Sequence, residues 1–328
     1  MKIAVIGSGS WGTAISVLIA NKGYDTMLWS WKQEETDLLN TNRENIKYLP
    51  GIPFPDNITC SHDISLCVKD ADLIICAVPS PGIRTTAKKL APHISDGQII
   101  VNLAKGIENE TLLRLSQVIK EEIPQADVAV MSGPSHAEEV AKELPTTNVV
   151  AAQSMKTAEF IQDILMTENF RIYTGKDIIG VELGGALKNI IALCAGICDG
   201  LGFGDNTKAA LMTRGIAEIA RLGVAMGADR ETFLGLSGVG DLIVTCTSMH
   251  SRNRRCGILL GKGLNSADAI KEIGMVVEGI NASGAAYELS KKYDIYMPIT
   301  KAAYEILFEN KSPLEVTKRL MTGDKKSE

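Results

Sequence analysis

Short apolar runs alternate with amphipathic segments over the first half of the chain. The runs predicted as strands are Ile3–Ile6, Thr26–Trp29, Leu73–Val78, Ile99–Leu103, Val128–Met131 and Asn148–Ala152. Near-continuous apolar strands are typical of a parallel sheet that is buried on both faces. Helical patterns separate them at Thr13–Asn21, Ile83–Leu90, Thr111–Glu122 and Thr157–Met166. This alternation predicts an α/β domain with a doubly wound sheet.

The pattern changes after Gly175, where strand-like runs become rare and apolar positions recur at helical spacing. Helices are predicted at Ile178–Cys198, Lys208–Met226, Ser251–Gly261, Val277–Lys291, Thr300–Phe308 and Pro313–Leu320. We therefore predict an α/β domain over residues 1–175 and a mostly α-helical C-terminal domain over residues 176–328. The polar tail Gly323–Glu328 is expected to be frayed.

Composition excludes several classes of protein. The chain has 328 residues, 45% hydrophobic and 22% charged, which suffices for two buried cores and argues against disorder. The 34 Lys and Arg residues against 39 Asp and Glu residues leave a net charge of −5, so nucleic acid and anionic membranes are not expected partners. Seven cysteines without a Cys-x-x-Cys pair, and histidines without ligand spacing, predict free thiols and no metal site.

The N-terminus superficially resembles a signal peptide or a membrane span, because residues 3–21 are uncharged and follow Lys2. Gly7, Gly9 and Gly12, together with small polar residues, divide this stretch into two short apolar blocks. The blocks fit a strand and a helix better than one continuous span. We therefore expect a cytoplasmic protein without membrane insertion.

The segment Gly7-Ser8-Gly9-Ser10-Trp11-Gly12 directly follows the first predicted strand and opens a helix. A G-x-G-x-x-G motif in this context is typical of a Rossmann-like dinucleotide site. Gly7 would permit the tight turn, Gly9 would let the pyrophosphate approach the backbone, and Gly12 would let helix and strand pack closely. Free N–H groups at the helix start would bind the anion. The first domain is therefore predicted to be dinucleotide-binding.

The end of the second predicted strand decides which dinucleotide fits. An NAD site usually places an acidic residue there, whereas this chain has Trp29-Ser30-Trp31-Lys32. A hydroxyl and a cation suit a 2′-phosphate, so NADP(H) is favoured, NAD(H) stays open, and Trp31 and Lys32 are candidate cofactor ligands. The alternative is that Lys32 is a solvated lysine at a helix start. The nearest acids, Glu34 and Glu35, lie slightly beyond the usual position.

Two later strand exits also carry candidate chemistry. Lys105 follows one buried strand, and Ser132-Gly133-Pro134-Ser135 follows the next. Ligands of open α/β sheets bind beyond the carboxyl ends of the strands, so a lysine and an anion-binding loop are expected in one crevice. The alternative is that both segments are ordinary loops, which are rich in Gly, Pro and Ser in any case.

Lys188 is the most informative residue of the predicted helical domain. Its neighbours at helical spacing are all small or apolar: Gly184, Gly185, Ile191 and Ala192. Burying an ammonium group is costly unless it is paired or loses its proton, and such a lysine can act as a general acid or base. The two glycines are expected to leave space for a ligand. The alternative is a lysine that extends along its apolar face to solvent.

Two further segments supply polar groups. Gly238-Val239-Gly240-Asp241 places a carboxylate in a predicted glycine-rich loop, and Ser251-Arg252-Asn253-Arg254-Arg255 lies at a predicted helix start. A forked guanidinium beside free helix N–H groups suits a phosphate. We expect Arg252 and Asn253 to be ligands and Arg254 and Arg255 to form a basic surface patch.

Taken in order, these motifs resemble bacterial NAD(P)-dependent glycerol-3-phosphate dehydrogenases over nearly the whole chain. The resemblance rests on residues 7–13, 105–107, 132–137, 182–189, 238–242 and 251–253. It implies an oxidoreductase that interconverts dihydroxyacetone phosphate and sn-glycerol 3-phosphate and so supplies glycerophospholipid synthesis. Lys188 would be the proton donor and acceptor.

The resemblance also implies binding residues. Cofactor contacts would come from Ser10, Trp11, Lys105, Ala137, Arg252, Val276 and Glu278. The substrate would contact Lys105, Gly133, Ser135, Lys188, Asn189, Asp241, Thr245, Ser251, Arg252 and Asn253. Sequences of this kind vary at residues 29–32, so the resemblance leaves the cofactor preference open. The apolar helical faces of the second domain are compatible with a homodimer.

Two other functions fit part of the pattern. A β-hydroxyacid dehydrogenase acting on an unphosphorylated substrate would share the architecture, although residues 251–253 argue against it. A redox sensor that binds NADP(H) without turnover would need only the glycine-rich loop. A lysine on an apolar helix face would then have no purpose.

Overall fold

The computed structural model describes residues 1–322; the predicted frayed tail lies outside this range. The chain forms two compact units. Unit 1 comprises Met1–Lys105 and Leu113–Glu182, and unit 2 comprises Gly106–Leu112 and the chain from Leu183 onward. The division falls inside a long helix, seven residues beyond the boundary predicted at residue 175.

Unit 1 is built on an eight-stranded sheet in the order β3-β2-β1-β4-β5-β6-β7-β8. The strands are β1 (Lys2–Ile6), β2 (Asp25–Trp29), β3 (Ile58–Ser61), β4 (Leu73–Cys76), β5 (Ile99–Asn102), β6 (Asp127–Ser132), β7 (Thr146–Ala151) and β8 (Phe170–Gly175). The doubly wound sheet is confirmed, with one correction: β6 and β7 pair antiparallel. The connection between them holds only a four-residue helix and turns back at the edge where β6 ends.

Helices cover both faces of this sheet. They are α1 (Ser10–Asn21), α2 (Gln33–Asn42), α3 (Ile64–Val68), α4 (Ile83–Leu90), α5 (Leu115–Glu122), α6 (Ala137–Val140), α7 (Met155–Leu165) and the start of α8 (Ile178–Gly200). Ile3 and Val5 belong to the apolar core on one face, and Ala4 and Ile6 to the core on the other. Successive strand residues point to opposite faces, which explains why the strands read as continuous apolar runs.

The sequence pattern missed both edge strands of the sheet, and it also missed the helices α6 (Ala137–Val140), α10 (Asp241–Thr247) and α12 (Ser266–Ile273). β8 buries alternate residues, with Phe170 and Ile172 inside, so it has the alternating pattern of an edge strand and no apolar run. β3 at the other edge is four residues long, and α2 beside it buries only Thr36 and Leu39. These elements bury one face, and a short one-sided pattern gives a weak signal.

Unit 2 is mostly helical from Leu183 onward, whereas Gly106–Leu112 forms an irregular segment with a turn. It holds most of α8, α9 (Asp205–Ala225), α10 (Asp241–Thr247), α11 (Arg252–Gly261), α12 (Ser266–Ile273), α13 (Glu278–Lys292), α14 (Pro298–Phe308) and α15 (Pro313–Met321). α8 is long and apolar enough to cross a membrane, but 89% of its most apolar stretch is buried inside the protein. A central core helix has this same composition.

Close backbone contacts hold α11 against α8. A Cβ atom on Gly196 would lie 2.0 Å from the carbonyl oxygen of Arg254, and one on Gly257 would lie 2.0 Å from that of Leu193. Only glycine fits at these positions, because any side chain would force the helices apart. This contact sets where the first residues of α11 lie relative to α8.

Candidate active site

The glycine-rich loop has the geometry of an anion site. Gly7 adopts a φ of +120°, and its N–H donates to the carbonyl of Trp29 at 3.1 Å. A Cβ atom on Gly12 would lie 1.8 Å from the carbonyl oxygen of Gly7, whereas one on Gly9 would meet no atom within 4 Å. Gly12 is thus required for packing, and the backbone at Gly9 borders open space. The first turn of α1 carries neither a side-chain cap nor an acidic residue, so it suits a bound anion.

Side chains beyond the loop fix its position. The hydroxyl of Ser10 donates to the carbonyl of Tyr48 at 2.7 Å. The amide of Asn45 donates to the carbonyl of Ser8 at 2.8 Å and to the hydroxyl of Thr13 at 2.7 Å. The segment after α2 therefore braces the glycine-rich loop and the start of α1.

The end of β2 carries a hydrogen-bonded chain of polar groups. The hydroxyl of Ser8 donates to Ser30 at 2.9 Å, and the buried Ser30 hydroxyl donates to the carboxylate of Glu35 at 3.1 Å. Glu35 also pairs with Lys47 at 3.0 Å. Trp31 is exposed, with the Lys32 ammonium 4.8 Å from its ring centroid. The first turn of α2 thus returns an acid to the strand end, which the sequence spacing had not predicted.

The exits of β5 and β6 meet in unit 1. Lys105 Nζ donates to the carbonyl of Gly133 at 2.9 Å, and the hydroxyl of Ser135 donates to the same oxygen at 3.1 Å. Gly133 has a φ of +157°, and a Cβ atom there would lie 2.4 Å from Asn148 Oδ1. The structure therefore brings Lys105, Gly133 and Ser135 together, while Ala137 begins α6 shortly afterwards.

Asn148 is a residue of this cluster that the sequence analysis did not select. Its side chain is buried on β7, and its Oδ1 atom lies 3.4 Å from the Ser135 hydroxyl. A buried amide is costly unless it makes hydrogen bonds, so a polar residue at the start of an apolar strand was a usable signal.

Lys188 lies on α8 and does not extend to solvent, since its side chain is 7% exposed. Its Nζ atom lies 2.8 Å from Asp241 Oδ1 and 2.5 Å from Thr245 Oγ1. Asp241 and Thr245 are one turn apart on α10 and face the same side, and the Thr245 hydroxyl also contacts the backbone carbonyl of Asp241 at 2.6 Å. The structure thus pairs the buried lysine with a buried carboxylate and a hydroxyl.

Two expectations about this region are wrong. Gly184 does not leave space for a ligand, because a Cβ atom there would lie 2.5 Å from the carbonyl oxygen of Ser237. Residues Leu236–Gly240 form a π-helical turn that runs directly into α10, where a loop was predicted. Gly184 lets this turn approach α8, which brings Asp241 to Lys188.

The starts of α11 and α13 are joined through two buried amides. Asn253 donates to Asn189 Oδ1 at 2.8 Å, and the N–H of Gly279 donates to Asn253 Oδ1 at 2.9 Å. Ser251 caps α11 by accepting the N–H of Arg254 at 3.2 Å. Arg252 is half-buried in the first turn of α11. Of the predicted residues at the start of α13, Glu278 is half-buried and Val276 is exposed.

Arg254 is not part of a surface patch. Its Nε atom donates to Asp199 at 2.8 Å, and Lys208 binds the other oxygen of that carboxylate at 2.7 Å. Burial acts to raise the pKa of Asp199, but hydrogen bonds from Lys208 and Arg254, with their charges, hold it below its usual value. Arg254 therefore ties α11 to α8 and α9. Arg255 is half-buried as well.

The seven cysteines are free and buried. Burial raises the pKa of Cys246, next to Thr245, to about 12, so this thiol is neutral and a poor nucleophile. Within residues 1–322, no group of three or more His, Cys, Asp or Glu side chains is placed to hold a metal ion.

A doubly wound sheet with a glycine-rich loop after its first strand, joined to a helical unit with a buried lysine–carboxylate pair, defines a nicotinamide-nucleotide-dependent dehydrogenase. Residues 2–158 match the family described as NAD-dependent glycerol-3-phosphate dehydrogenase N-terminus, and residues 177–318 match its C-terminus counterpart. The chain belongs to the NAD-dependent glycerol-3-phosphate dehydrogenase family.

Full-length relatives agree with this membership. A Clostridium perfringens (strain SM101 / Type A) protein named glycerol-3-phosphate dehydrogenase [NAD(P)+] is 55% identical over 327 residues, covering 100% of this chain and 99% of the relative. A Thermoanaerobacter sp. (strain X514) protein of the same name is 56% identical over 328 residues, with the same coverage. The crystal structure of a Coxiella burnetii glycerol-3-phosphate dehydrogenase superimposes with a TM-score of 0.95 at 37% identity, covering 98% of this chain and 99% of that one.

Proposed function

We propose that this protein interconverts dihydroxyacetone phosphate and sn-glycerol 3-phosphate with NAD(P)(H) as redox partner. The observation that carries the proposal is the buried Lys188, held by Asp241 and Thr245, in a chain of this family. Relatives at 55% and 56% identity bear the name of this activity. A reductase for unphosphorylated hydroxyacids is not supported by this family membership.

The glycine-rich loop fits a dinucleotide, since it offers an open backbone at Gly9 and an uncapped helix start. When bound, the reduced nicotinamide supplies the hydride for the carbonyl carbon. We propose that the cofactor is held by Gly7, Gly9, Ser10, Trp11, Gly12, Trp31, Lys32, Lys105, Ala137, Arg252, Val276 and Glu278. Lys32 supports a preference for NADP(H), with NAD(H) also used.

Lys188 acts in this proposal as the general acid and base. During reduction its Nζ proton moves to the oxygen that develops negative charge, and during oxidation the neutral amine accepts the hydroxyl proton. The Asp241 carboxylate at 2.8 Å stabilises the ammonium form, which is the form required for reduction. Thr245 at 2.5 Å adds a second contact that orients Nζ.

Other residues orient the substrate in this proposal. We propose that Lys105, Gly133 and Ser135 bind the three-carbon fragment and that Ser251 and Arg252 anchor its phosphate. Asn189 and Asn253 would fix the start of α11 through their mutual hydrogen bond and that of Gly279. Anchoring the phosphate lets binding energy from a non-reacting group orient the carbonyl.

The cellular role follows from the product. sn-Glycerol 3-phosphate is the backbone precursor of glycerophospholipids, so we propose a cytoplasmic enzyme of lipid synthesis that acts on a small phosphorylated substrate. The helical unit carries exposed apolar side chains, including Leu234, Tyr296 and Met321, which support a homodimer as the assembly.

The test is the initial rate of NADPH and NADH oxidation with dihydroxyacetone phosphate as substrate, compared with three-carbon hydroxyacids and their ketoacids. Turnover confined to the phosphorylated substrate is expected. Saturable cofactor binding without turnover of any three-carbon phosphate would contradict the proposal and favour the sensor.

A further inference from the structure

The hydrogen-bonded polar groups at the end of β2 include a carboxylate, Glu35, and a lysine, Lys47. In a Rossmann-like domain the adenosine ribose of a dinucleotide binds at the end of this strand. In an NAD site this place holds an acid that accepts the 2′-hydroxyl, and in an NADP site it holds cations for the 2′-phosphate. Here the strand itself ends in Ser30 and contributes neither. The two charges come from α2 and from the segment after it.

Glu35 supplies the acid. Its carboxylate accepts the buried Ser30 hydroxyl at 3.1 Å, and Ser30 in turn accepts the hydroxyl of Ser8 from the glycine-rich loop at 2.9 Å. The carboxylate is therefore connected to the pyrophosphate loop through two hydrogen bonds. One of its oxygens bonds Ser30, and the other pairs with Lys47.

Lys47 is a cation near the end of β2, and Lys32 is another. Its side chain is 64% exposed and its ammonium lies 3.0 Å from Glu35 and 4.5 Å from the Tyr48 ring centroid. Because the lysine of this pair is exposed, water competes for its ammonium group, and the ion pair is weak and exchanges easily. Lys32 lies on the Trp31 ring and is exposed too. Both ammonium groups can therefore move to a phosphate while staying hydrated, and Glu35, whose side chain is 20% exposed, keeps the hydrogen bond from Ser30.

We propose that Glu35 and Lys47 form an exchangeable pair that determines which nicotinamide cofactor the protein binds. With NAD(H), Glu35 accepts the ribose 2′-hydroxyl and stays paired with Lys47. With NADP(H), the 2′-phosphate takes Lys47 from Glu35 and adds Lys32, and the repulsion between phosphate and Glu35 limits the gain. The inference rests on the proposed function only in taking the ligand to be a nicotinamide dinucleotide.

The experiment measures the dissociation constants of NADP⁺ and NAD⁺ by titration calorimetry, without substrate, for the unaltered 328-residue chain and four variants. Glu35→Gln keeps an oxygen that can accept the Ser30 hydroxyl but removes the charge, and Lys47→Gln removes the cation. Glu34→Gln and Lys156→Gln are matched controls, because both residues are exposed on helices of unit 1 and make no side-chain hydrogen bond or ion pair in the described structure.

Glu35→Gln is expected to shift the affinity ratio about tenfold toward NADP⁺, and Lys47→Gln about tenfold toward NAD⁺, as charge-assisted hydrogen bonds are lost. The two controls are expected to leave the ratio unchanged. Equal weakening of both cofactors, or an unchanged ratio in both test variants, would overturn the proposal by reducing the pair to a structural role.

Turnover measured on the same preparations separates this inference from the proposed function. A shifted binding ratio in a protein that does not reduce dihydroxyacetone phosphate would support the selectivity pair and reject the reaction. Turnover of dihydroxyacetone phosphate with an unchanged binding ratio would support the reaction and reject the selectivity pair.

Discussion

Lys47–Glu35 in unit 1 and Lys188–Asp241 in unit 2 are both lysine–carboxylate pairs, and they differ far more in environment than in geometry. The Nζ–oxygen distance is 3.0 Å for Lys47–Glu35 and 2.8 Å for Lys188–Asp241. The side chains of the first pair are 64% and 20% exposed, and those of the second are 7% and 2% exposed. A distance alone therefore does not indicate what an ion pair does.

Burial sets the behaviour of each pair. Charges in the interior cannot exchange partners with water, so breaking a buried pair leaves an uncompensated charge. Charges at the surface are hydrated and screened, and their pairing contributes little. The pair in unit 2 is suited to hold one proton donor in a fixed position, and the pair in unit 1 is suited to release one partner to a ligand.

The largest expected effect comes from removing the lysine of the buried pair. Lys188→Ala should lower kcat by about 10²- to 10⁴-fold, because the general acid is lost, while cofactor binding is retained. Steady-state rates and a separate cofactor titration measure the two quantities. Lys262→Ala, on an exposed helix end, is the control. Near-normal kcat in the Lys188 variant would reject the acid–base assignment.

Removing the carboxylate of the buried pair should cost stability. Asp241→Asn is expected to lower the free energy of unfolding by about 3 kcal/mol, because the Lys188 ammonium loses its buried counter-charge. Urea denaturation measures the change. The double variant Lys188→Met with Asp241→Asn should be more stable than Asp241→Asn alone. Additive losses in the two positions would show that the pair is not energetically coupled.

A third buried group, Glu218, sharpens the comparison. Its carboxylate accepts the N–H groups of Ile299 and Thr300 at the start of α14, at 2.8 and 3.2 Å. Burial raises the pKa of Glu218 to about 7 against these hydrogen bonds and the nearby charge of Arg221. The acid thus stays neutral in the fold at a pH where it is ionised in the unfolded chain.

The contribution of Glu218 to the free energy of unfolding therefore depends on pH. The folded state holds the Glu218 proton more tightly, so its contribution to stability is complete below about pH 4.5 and is lost as pH rises through about 7. A shift of this size corresponds to about 3 kcal/mol at most. The difference in unfolding free energy between wild type and Glu218→Gln, measured from pH 4.5 to 8, should fall with rising pH. A flat difference would show that burial does not control this group.

The smallest expected effect lies at the surface pair. Lys47→Gln should change the free energy of unfolding by less than about 0.5 kcal/mol, since exposed pairs contribute little. The measurement is urea denaturation at low and at physiological salt. A loss above about 1 kcal/mol would place Lys47 among the structural residues and weaken its assignment as a partner that can be released.

Much of unit 1 could be predicted because its signals are local. The strands of the sheet centre are apolar along their length, and the glycine-rich loop lies directly between β1 and α1. Gly7 is needed where the chain turns with a φ of +120°, and Gly12 is needed where a Cβ atom would meet the carbonyl of Gly7, so both requirements are visible within the motif. Gly7 also packs against Ala77, beyond the end of β4, and that contact has no local signal. The antiparallel β6–β7 pairing was not predictable in this way, because direction depends on where a loop returns.

The site in unit 2 was likewise predictable only where its signals are local. Small and apolar neighbours on α8 were enough to predict that Lys188 is not an ordinary surface lysine. The local pattern on α8 does not predict which groups Lys188 contacts, since Thr245 lies 57 residues further along the chain. Arg254 was wrongly predicted to lie in a basic surface patch, because its pairing with Asp199 on α8 has no local signature.

The sequence by itself determined the spacing of apolar residues in the strands and helices, the glycine positions that permit the tight turn after β1, and the presence of a lysine on an apolar helix face. These are properties of a few consecutive residues or one helical turn. Only the tertiary structure decided that Gly184 admits a π-helical turn instead of a ligand and that Asp241 is the partner of Lys188. It also decided that Glu35 returns to Ser30. Such contacts depend on how closely separate elements pack, and a linear pattern encodes that each element buries a face without encoding what covers it.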